Sequence, residues 1–320
     1  MQLTTNTRAF IESEQYSQFI LLNLHDGLLP PSFWRNVTDF GSGETLHIKT
    51  VGTVTLQEGA EDTPLIYNPI ESGEIIFRIN EYVGDAWYIT DELREDGAQI
   101  DTLMAQRAAE STRAIQEKYE TDYLKAAAEV YSAADPYLIN GFPHKIVSSE
   151  TNGTLQLDDI IAMRLAFDKA NVPAEGRVLI VDPIADATLN GFITLTSDIT
   201  QFAVDILTEG VARGQRFRFN LYGFDILTSN RLHKVASASD GTTTLAPAGG
   251  VVYNLAMCIA DDQTKPLIGA WRRMPKAESE RNKDRARDEF VVRARYGWGV
   301  QRMDTLGTIV TSATNYKPAA

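Results

Sequence analysis

The chain has 320 residues, of which 43% are hydrophobic and 23% charged, so neither wholesale disorder nor a fibrous repeat fits. A formal net charge of −13 opposes tight general binding to a phosphate backbone, because such affinity comes from Lys and Arg displacing counterions. No apolar run approaches the roughly 18 residues of a membrane span, and the start MQLTTNTRAFIESEQ lacks the charged-then-apolar layout of a signal peptide; a cytoplasmic protein with no membrane partner is expected.

The length predicts about two domains. Residues 1–40 combine an amphipathic stretch, Phe19-Ile20-Leu21-Leu22-Asn23-Leu24, with turn signals at Asp26-Gly27 and Pro30-Pro31. They read as an arm whose apolar residues, Phe33 and Trp34 among them, need cover that a neighbour's surface could supply.

Two β-branched runs follow, Thr45 to Val54 and Glu74 to Val83, each predicted to be a long strand. The polar stretch from Gln57 to Gly73 between them is too long for a tight turn and too poor in apolar residues to pack inward, which predicts a projecting hairpin. Thr90-Asp91-Glu92 is a helix start, and no proline follows until Pro136, so residues 91–133 are expected to run as one helix of about 60 Å, with Gly97 loosening its first turns. Its large apolar residues, Leu93, Ile100, Leu103, Ile115, Tyr119, Leu124 and Tyr131, form a sparse stripe, as in a helix half exposed along one face of a thin molecule.

Residues 141–260 read as an α/β unit: a helix over Leu157 to Ala170, a buried strand over Arg177 to Pro183, a short helix over Ile184 to Asn190 and a strand over Phe217 to Leu227. Ser237 to Gly250 is predicted to be a surface loop, followed by an apolar strand over 251–259. That strand holds Cys258, the one cysteine, read as a small buried hydrophobe. A short helix near Leu267 to Trp271 and an alternating strand over Phe290 to Tyr296 complete the expected elements.

Two segments carry a resemblance. Asn171-Val172-Pro173-Ala174-Glu175-Gly176-Arg177-Val178-Leu179-Ile180-Val181-Asp182-Pro183 resembles the N-V-P-x-x-G-R-x-x-V-x-x-P stretch of the major capsid proteins of tailed phages. Gly223-Phe224-Asp225-Ile226-Leu227-Thr228-Ser229-Asn230-Arg231-Leu232 is similar to their G-F-x-V-x-x-S-N-x-L stretch. The order of elements is also similar to the Hong Kong 97 coat fold. The resemblance implies an α+β fold with an N-terminal arm (1–40), an extended β-hairpin loop (41–86), a peripheral domain with a spine helix (87–140), an axial domain (141–260) and a return to the peripheral domain (261–320).

It further implies a structural subunit, without cofactor, whose partner is itself in pentamers and hexamers of an icosahedral shell. That shell would enclose phage double-stranded DNA, in the virion, after assembly in the host cytoplasm. A portal and a decoration protein are implied companions, and non-specific contact with packaged DNA is compatible. Two traits of some relatives are not expected here. No lysine occurs between Lys49 and Lys118, which disfavours lysine-mediated crosslinking through the loop tip. The sequence enters the arm at once, so a separate scaffolding protein is expected. An encapsulin-like nanocompartment shell shares the implied fold and is the nearest rival; a cytoplasmic enzyme with residues 141–260 catalytic is the rival from another class.

Chemistry-bearing constellations are sparse. No Gly-x-Ser-x-Gly elbow, phosphate loop or His-Glu-x-x-His pair occurs, and Gly41 and Gly43 are too few for a dinucleotide fingerprint. His25, His47, His144 and His233 stand apart without ligand spacing, and Asp158-Asp159 and Asp261-Asp262 are explained by capping and turns. Charge distribution is more informative. Residues 56–101 hold 12 acidic and 2 basic side chains, and residues 271–302 hold 10 basic and 5 acidic. The basic stretch comprises Arg272, Arg273, Lys276, Arg281, Lys283, Arg285, Arg287, Arg293 and Arg295, interspersed with Glu278, Glu280, Asp284, Asp288 and Glu289. A solvated loop or a phosphate contact would suit it. The favoured expectation is that an acidic hairpin (Glu58, Glu61, Asp62, Glu71, Glu74) lies on the basic region of the next subunit.

Overall fold

A computed structural model describes residues 27–37, 45–51, 72–96, 100–131, 135–195 and 217–316. Its strands are β1 Arg35–Asn36, β2 Thr45–Val51, β3 Ser72–Arg78, β4 Glu81–Thr90, β5 Leu138–Ile139, β6 Phe142–Pro143, β7 Lys145–Val147, β8 Arg177–Val181, β9 Phe217–Leu221, β10 Phe224–Thr228, β11 Lys234–Val235, β12 Ala238–Ser239, β13 Thr244–Leu245, β14 Val251–Cys258, β15 Leu267–Asn282, β16 Arg287–Val300 and β17 Leu306–Ser312. The helices are α1 Asp91–Asp96, α2 Ile100–Ala128, α3 Leu157–Lys169 and α4 Pro183–Leu195.

A seven-stranded sheet has the order β7-β17-β14-β8-β10-β9, with β11 also on β14. Its central strands are apolar without interruption because both faces are covered. The side chains sort by the two-residue period of a strand. Val178, Ile180, Leu255, Met257, Leu306 and Val310 face α2, whereas Leu179, Val181, Ala256, Cys258 and Ile309 face α3 and α4 through Met163, Phe167, Ala185 and Leu189. Asp159 is a capping residue as expected: its carboxylate accepts from the backbone N–H of Gln156 at 3.1 Å, at the start of α3. Among the described residues no helix is long and apolar enough to cross a membrane.

A four-stranded sheet has the order β1-β15-β16-β4. Helix α2, with 29 residues and therefore about 44 Å long, touches both sheets. Its C-terminal half buries Tyr119, Tyr123, Leu124, Ala127 and Ala128 in the larger core, whereas Leu103 in its N-terminal half is exposed. Where the sheets meet, Tyr119 stacks on Trp271 at 4.1 Å and meets Tyr296 edge-on at 4.9 Å. Gly269 makes room for this junction, since a Cβ there would lie 2.4 Å from the Trp298 ring and 2.6 Å from the Tyr119 hydroxyl.

Several elements differ from the sequence reading. The expected strand 74–83 is two strands in two sheets: β3 pairs with β2 as a hairpin, and β4 pairs with β16. The changeover falls at buried Ile79, beside Gly297 of β16. The helix expected over 91–133 is α1 and α2, ending at Ala128, and residues 97–99 and 132–134 lie outside the described ones. The strand expected over 217–227 is the hairpin β9–β10, turned by Tyr222 (φ 51°) and Gly223 (φ 89°), the positive angles of a tight hairpin turn. Ser237 to Gly250 carries the two-residue strands β12 and β13.

The helix expected near Leu267 to Trp271 is instead the start of β15, where Leu267 is fully buried in the core with α2 and Ile268 is fully buried on the other face of the sheet. The basic stretch is accordingly no loop but the hairpin β15–β16. Within residues 261–320, β17 pairs with β14 and β7 in the seven-stranded sheet, so this segment contributes to both sheets.

Phe33 and Trp34 also differ from expectation. Both are buried, and Trp34 lies 5.3 Å from Tyr123 and 5.5 Å from Trp298, ring to ring. Their cover comes from α2 and β16 of the same chain, because the turn at Pro31–Phe33 and the pairing of β1 with β15 direct the chain inward.

Candidate intersubunit surface

One face of the four-stranded sheet is covered by α2; on the other, Phe77 and Ile79 of the β3 end cover Gly297, Gly299 and Ala270, and the part nearer the β15–β16 turn is uncovered among the described residues. On β16 the even positions Val292, Ala294 and Tyr296 are fully buried beneath α2. By strand alternation the odd positions Arg287, Glu289, Val291, Arg293 and Arg295 lie on the opposite face. Beside them on β4 stand Tyr82 and Tyr88, 60% and 57% exposed. The same alternation turns Val83, Asp85, Trp87 and Ile89 toward the helices.

Those four residues, with Leu93, Ile100, Leu103 and Met104, line an apolar groove of about 1070 Å³ beneath the N-terminal half of α2. Asp85 is fixed within it by Arg107 at 2.7 Å and by the hydroxyl of Ser111, which donates at 2.6 Å. The exposed flank of the helix expected from its sparse stripe is thus the rim of a groove.

The register of the uncovered part arranges its charges. Along β15–β16, Arg273 stands opposite Arg295, Lys276 opposite Arg293, Glu278 opposite Val291, Glu280 opposite Glu289 and Asn282 opposite Arg287. On the α2 side of the same strands, towards the turn, Arg281 and Asp288 are paired within the chain. Arg281 makes a two-point contact with Asp91 (2.6 Å for Nη2 to Oδ2) and reaches Asp288 at 3.1 Å, and Arg94 meets Asp288 at 2.6 Å. The hydrogen bond from Arg281 holds the Asp91 carboxyl below its usual range. Arg287 meets Glu289 at 2.6 Å and lies 4.5 Å over the Tyr88 ring, and hydrogen bonding from Arg287 lowers the Glu289 pKa. These contacts tie the hairpin end to the start of α1.

Of the basic residues singled out from the sequence, Arg281 and Arg287 are therefore engaged inside the subunit. Lys276, Lys283 and Arg285 are exposed and make no ion pair among the described residues, and Arg273 meets Glu278 at 2.6 Å. Arg272 is exposed beside the irregularity between Trp271 and Arg273. Of the acidic set, Glu74 Oε1 accepts from His47 Nδ1 across the β2–β3 hairpin at 2.9 Å. Glu58, Glu61, Asp62 and Glu71 lie outside the described residues.

Two features were not read from the sequence. One is the register that sets like charges opposite one another. Alternation in Val291-Val292-Arg293-Ala294-Arg295-Tyr296 tells which residues share a face, but not what stands across from them. The other is Arg231, at the end of the second capsid-like stretch. It reaches Glu117 and Glu120 of α2, each at 3.1 Å, and the carbonyl of Gly27 at 3.3 Å. Glu120, almost fully buried, also accepts from the backbone N–H of Leu29 at 2.9 Å. Among the described residues no group of three or more His, Cys, Asp or Glu could hold a metal ion.

Comparison with known structures shows where this architecture recurs. The capsid structure of cyanophage P-SCSP1u superposes with a TM-score of 0.68 at 18% identity, covering 97% of this chain and 94% of that one. A structure from Mycobacterium phage Che8 gives 0.66 at 16% identity, covering 93% and 97%. The SrpI encapsulin of Synechococcus elongatus PCC 7942 gives 0.58 at 10% identity, covering 100% and 99%. No curated protein matches the chain in sequence. The α+β architecture, with its arm, hairpin loop, long helix and two sheet-based bodies, is the Hong Kong 97-type capsid fold. The family model described as phage capsid protein matches residues 72–311, three-quarters of the sequence, and the chain belongs to that family of structural virion proteins.

Proposed function

We propose that this chain is the coat subunit of a tailed phage, forming pentamers and hexamers that close into an icosahedral shell around double-stranded DNA after assembly in the host cytoplasm. The match of the phage capsid family model over residues 72–311 carries the reading. Contacts between identical chains that close under rotation supply the rings. The acidic hairpin of one subunit (Glu58, Glu61, Asp62, Glu71, Glu74) lies on the basic region of the next, where complementary fields steer encounter and fix register even though each exposed ion pair contributes only about 0–1 kcal/mol. Arg272, Lys283 and Arg285 extend that basic region. A separate scaffolding protein, a portal and a decoration protein are its companions.

A second reading, a nanocompartment shell holding protein cargo, is supported by the likeness to the SrpI encapsulin. Purified particles separate the two. Nuclease-protected double-stranded DNA inside shells from infected cells is the expected result; shells that contain a folded protein cargo and no nucleic acid would overturn the phage reading.

A further inference from the structure

Strand β4 is an edge of the four-stranded sheet, and its 10 residues include neither a proline nor a lysine to guard that edge. The Asp91 N–H donates to the Ala286 carbonyl at 3.1 Å, and the pairing with β16 runs on from there without a shift. Main-chain groups of alternate residues point to opposite edges of a strand, so the odd positions of β4 are the ones bonded to β16. Tyr82, Gly84, Ala86, Tyr88 and Thr90 therefore turn their N–H and C=O groups outward, where the described residues supply no strand. The apolar groove beneath α2 runs along the same strand, and Val83, Trp87 and Ile89 line it. There the Trp87 indole N–H is buried and has no hydrogen-bond partner among the described residues. Both described hydrogen bonds to Asp85 fall on Oδ2, so Oδ1 keeps its capacity to accept.

We infer that β4 pairs, antiparallel and about a two-fold axis at Ala86, with β4 of a second copy of this chain. Such a contact is isologous, each subunit offering the same strand. Side chains directly opposite in a sheet share a face. An axis through Ala86 then sets Gly84 opposite Tyr88 of the second copy, Asp85 opposite its Trp87, and Val83 opposite its Ile89. Each pair is complementary. The tyrosine ring covers a position with no side chain, beside the Arg293 stem that passes there, and aromatic cover of this kind stabilises a glycine near a sheet edge. Asp85 and Trp87 fall in a non-hydrogen-bonded pair, the closer kind at about 4.5 Å between Cα atoms, so the carboxylate can accept from the unpartnered indole. Val83 and Ile89 join one apolar groove to the other. Slipping the strands by two residues loses this fit: one way opposes Asp85 to its own copy, and the other sets it against Ile89. Main-chain hydrogen bonds supply the attraction, and these side chains fix the register. The inference goes beyond the shell reading and does not require it; within a shell, a two-fold contact of this kind joins subunits of neighbouring rings.

Cysteine crosslinking of the full chain tests the register, because Cys258, its one natural cysteine, is fully buried. On mild oxidation Ala86→Cys is expected to give about tenfold more covalent dimer than Tyr82→Cys. Residue 86 meets its own copy within disulfide reach, roughly 5.5 Å between Cα atoms, whereas residue 82 lies far from its own. Tyr82→Cys combined with Thr90→Cys is expected to restore the dimer. Ala86→Lys sets two ammonium groups face to face on the axis. It is expected to abolish crosslinking of that double variant and to leave the urea midpoint of the subunit unchanged, because Ala86 is exposed. Equal dimer from Ala86→Cys and Tyr82→Cys, in free subunits and in particles alike, would overturn the inference. So would protection of Ala86→Cys from a thiol reagent without any dimer, which would mean that another segment covers the edge. Shells without the dimer leave the shell reading standing and refute this inference; the dimer without shells does the reverse.

Discussion

Arg231 and Glu120 are 111 residues apart in sequence and 3.1 Å apart in the structure, and between them they hold the base of the arm, the long helix and the seven-stranded sheet together. Glu120 is almost fully buried, so its charge depends on the guanidinium and the Leu29 N–H for compensation. Arg231→Met is expected to destabilise the free subunit by about 3–5 kcal/mol, the usual cost of leaving one member of a buried ion pair alone. Urea unfolding measures it, and Arg231→Met combined with Glu120→Leu should recover much of the loss. Equal losses in the single and the double variant would show that packing, not charge, is responsible.

Trp34 packs on Tyr119, Tyr123 and Trp298 within its own subunit. Trp34→Ala is therefore expected to cost about 3–5 kcal/mol in the unassembled chain. A variant whose subunit unfolds as the wild type does, and whose defect shows only in shells, would mean that Trp34 is covered by a neighbour after all.

Gly297 lets β16 pass beside the point where the chain moves from β3 to β4. A Cβ there would lie 2.4 Å from the Arg78 carbonyl oxygen, a backbone atom that cannot rotate away. Gly297→Ala is expected to destabilise by about 1–3 kcal/mol, as overpacking does. Chemical denaturation would reveal an unchanged midpoint if the two strands can separate freely.

His144 is fully buried next to β7 and stacked on Phe167. Burial lowers its pKa below 6.5, opposed by the carbonyls of Phe142 and Asp304 and the charge of Asp304. The unfolded chain then binds the extra proton more readily than the folded one. The contribution of His144 to stability is full above about pH 6.5 and diminishes as pH falls from there towards the lower folded value. His233 is shifted in the same direction, so the effect is read as the difference between wild type and His144→Phe between pH 7.5 and 5. Parallel pH profiles for the two proteins would contradict the assignment.

Much of the fold is legible residue by residue. Arg177 to Val181 and Val251 to Cys258 are unbroken apolar runs, and they are the strands buried on both faces. The polar stretch after Val51 and the β-branched runs around it announced a hairpin, and β2 pairs with β3 from Thr45↔Arg78 to Val51↔Ser72. What failed was partner choice. Nothing local in Glu74 to Val83 says that the strand leaves one sheet at Ile79 and joins another. Leu267 to Trp271 is a short apolar run whose period cannot separate helix from strand, and β16 and α2 decide it. The like-charge block is illegible for the same reason: Arg273 and Arg295 are 22 positions apart, and their opposition depends on the irregularities in β15.

The central claim is that copies of this chain enclose a volume. Electron cryo-microscopy of particles purified from cells that express the wild-type chain tests it most directly. Closed shells with five-fold and six-fold clusters of subunits are the expected result. A discrete small oligomer in place of shells would contradict it.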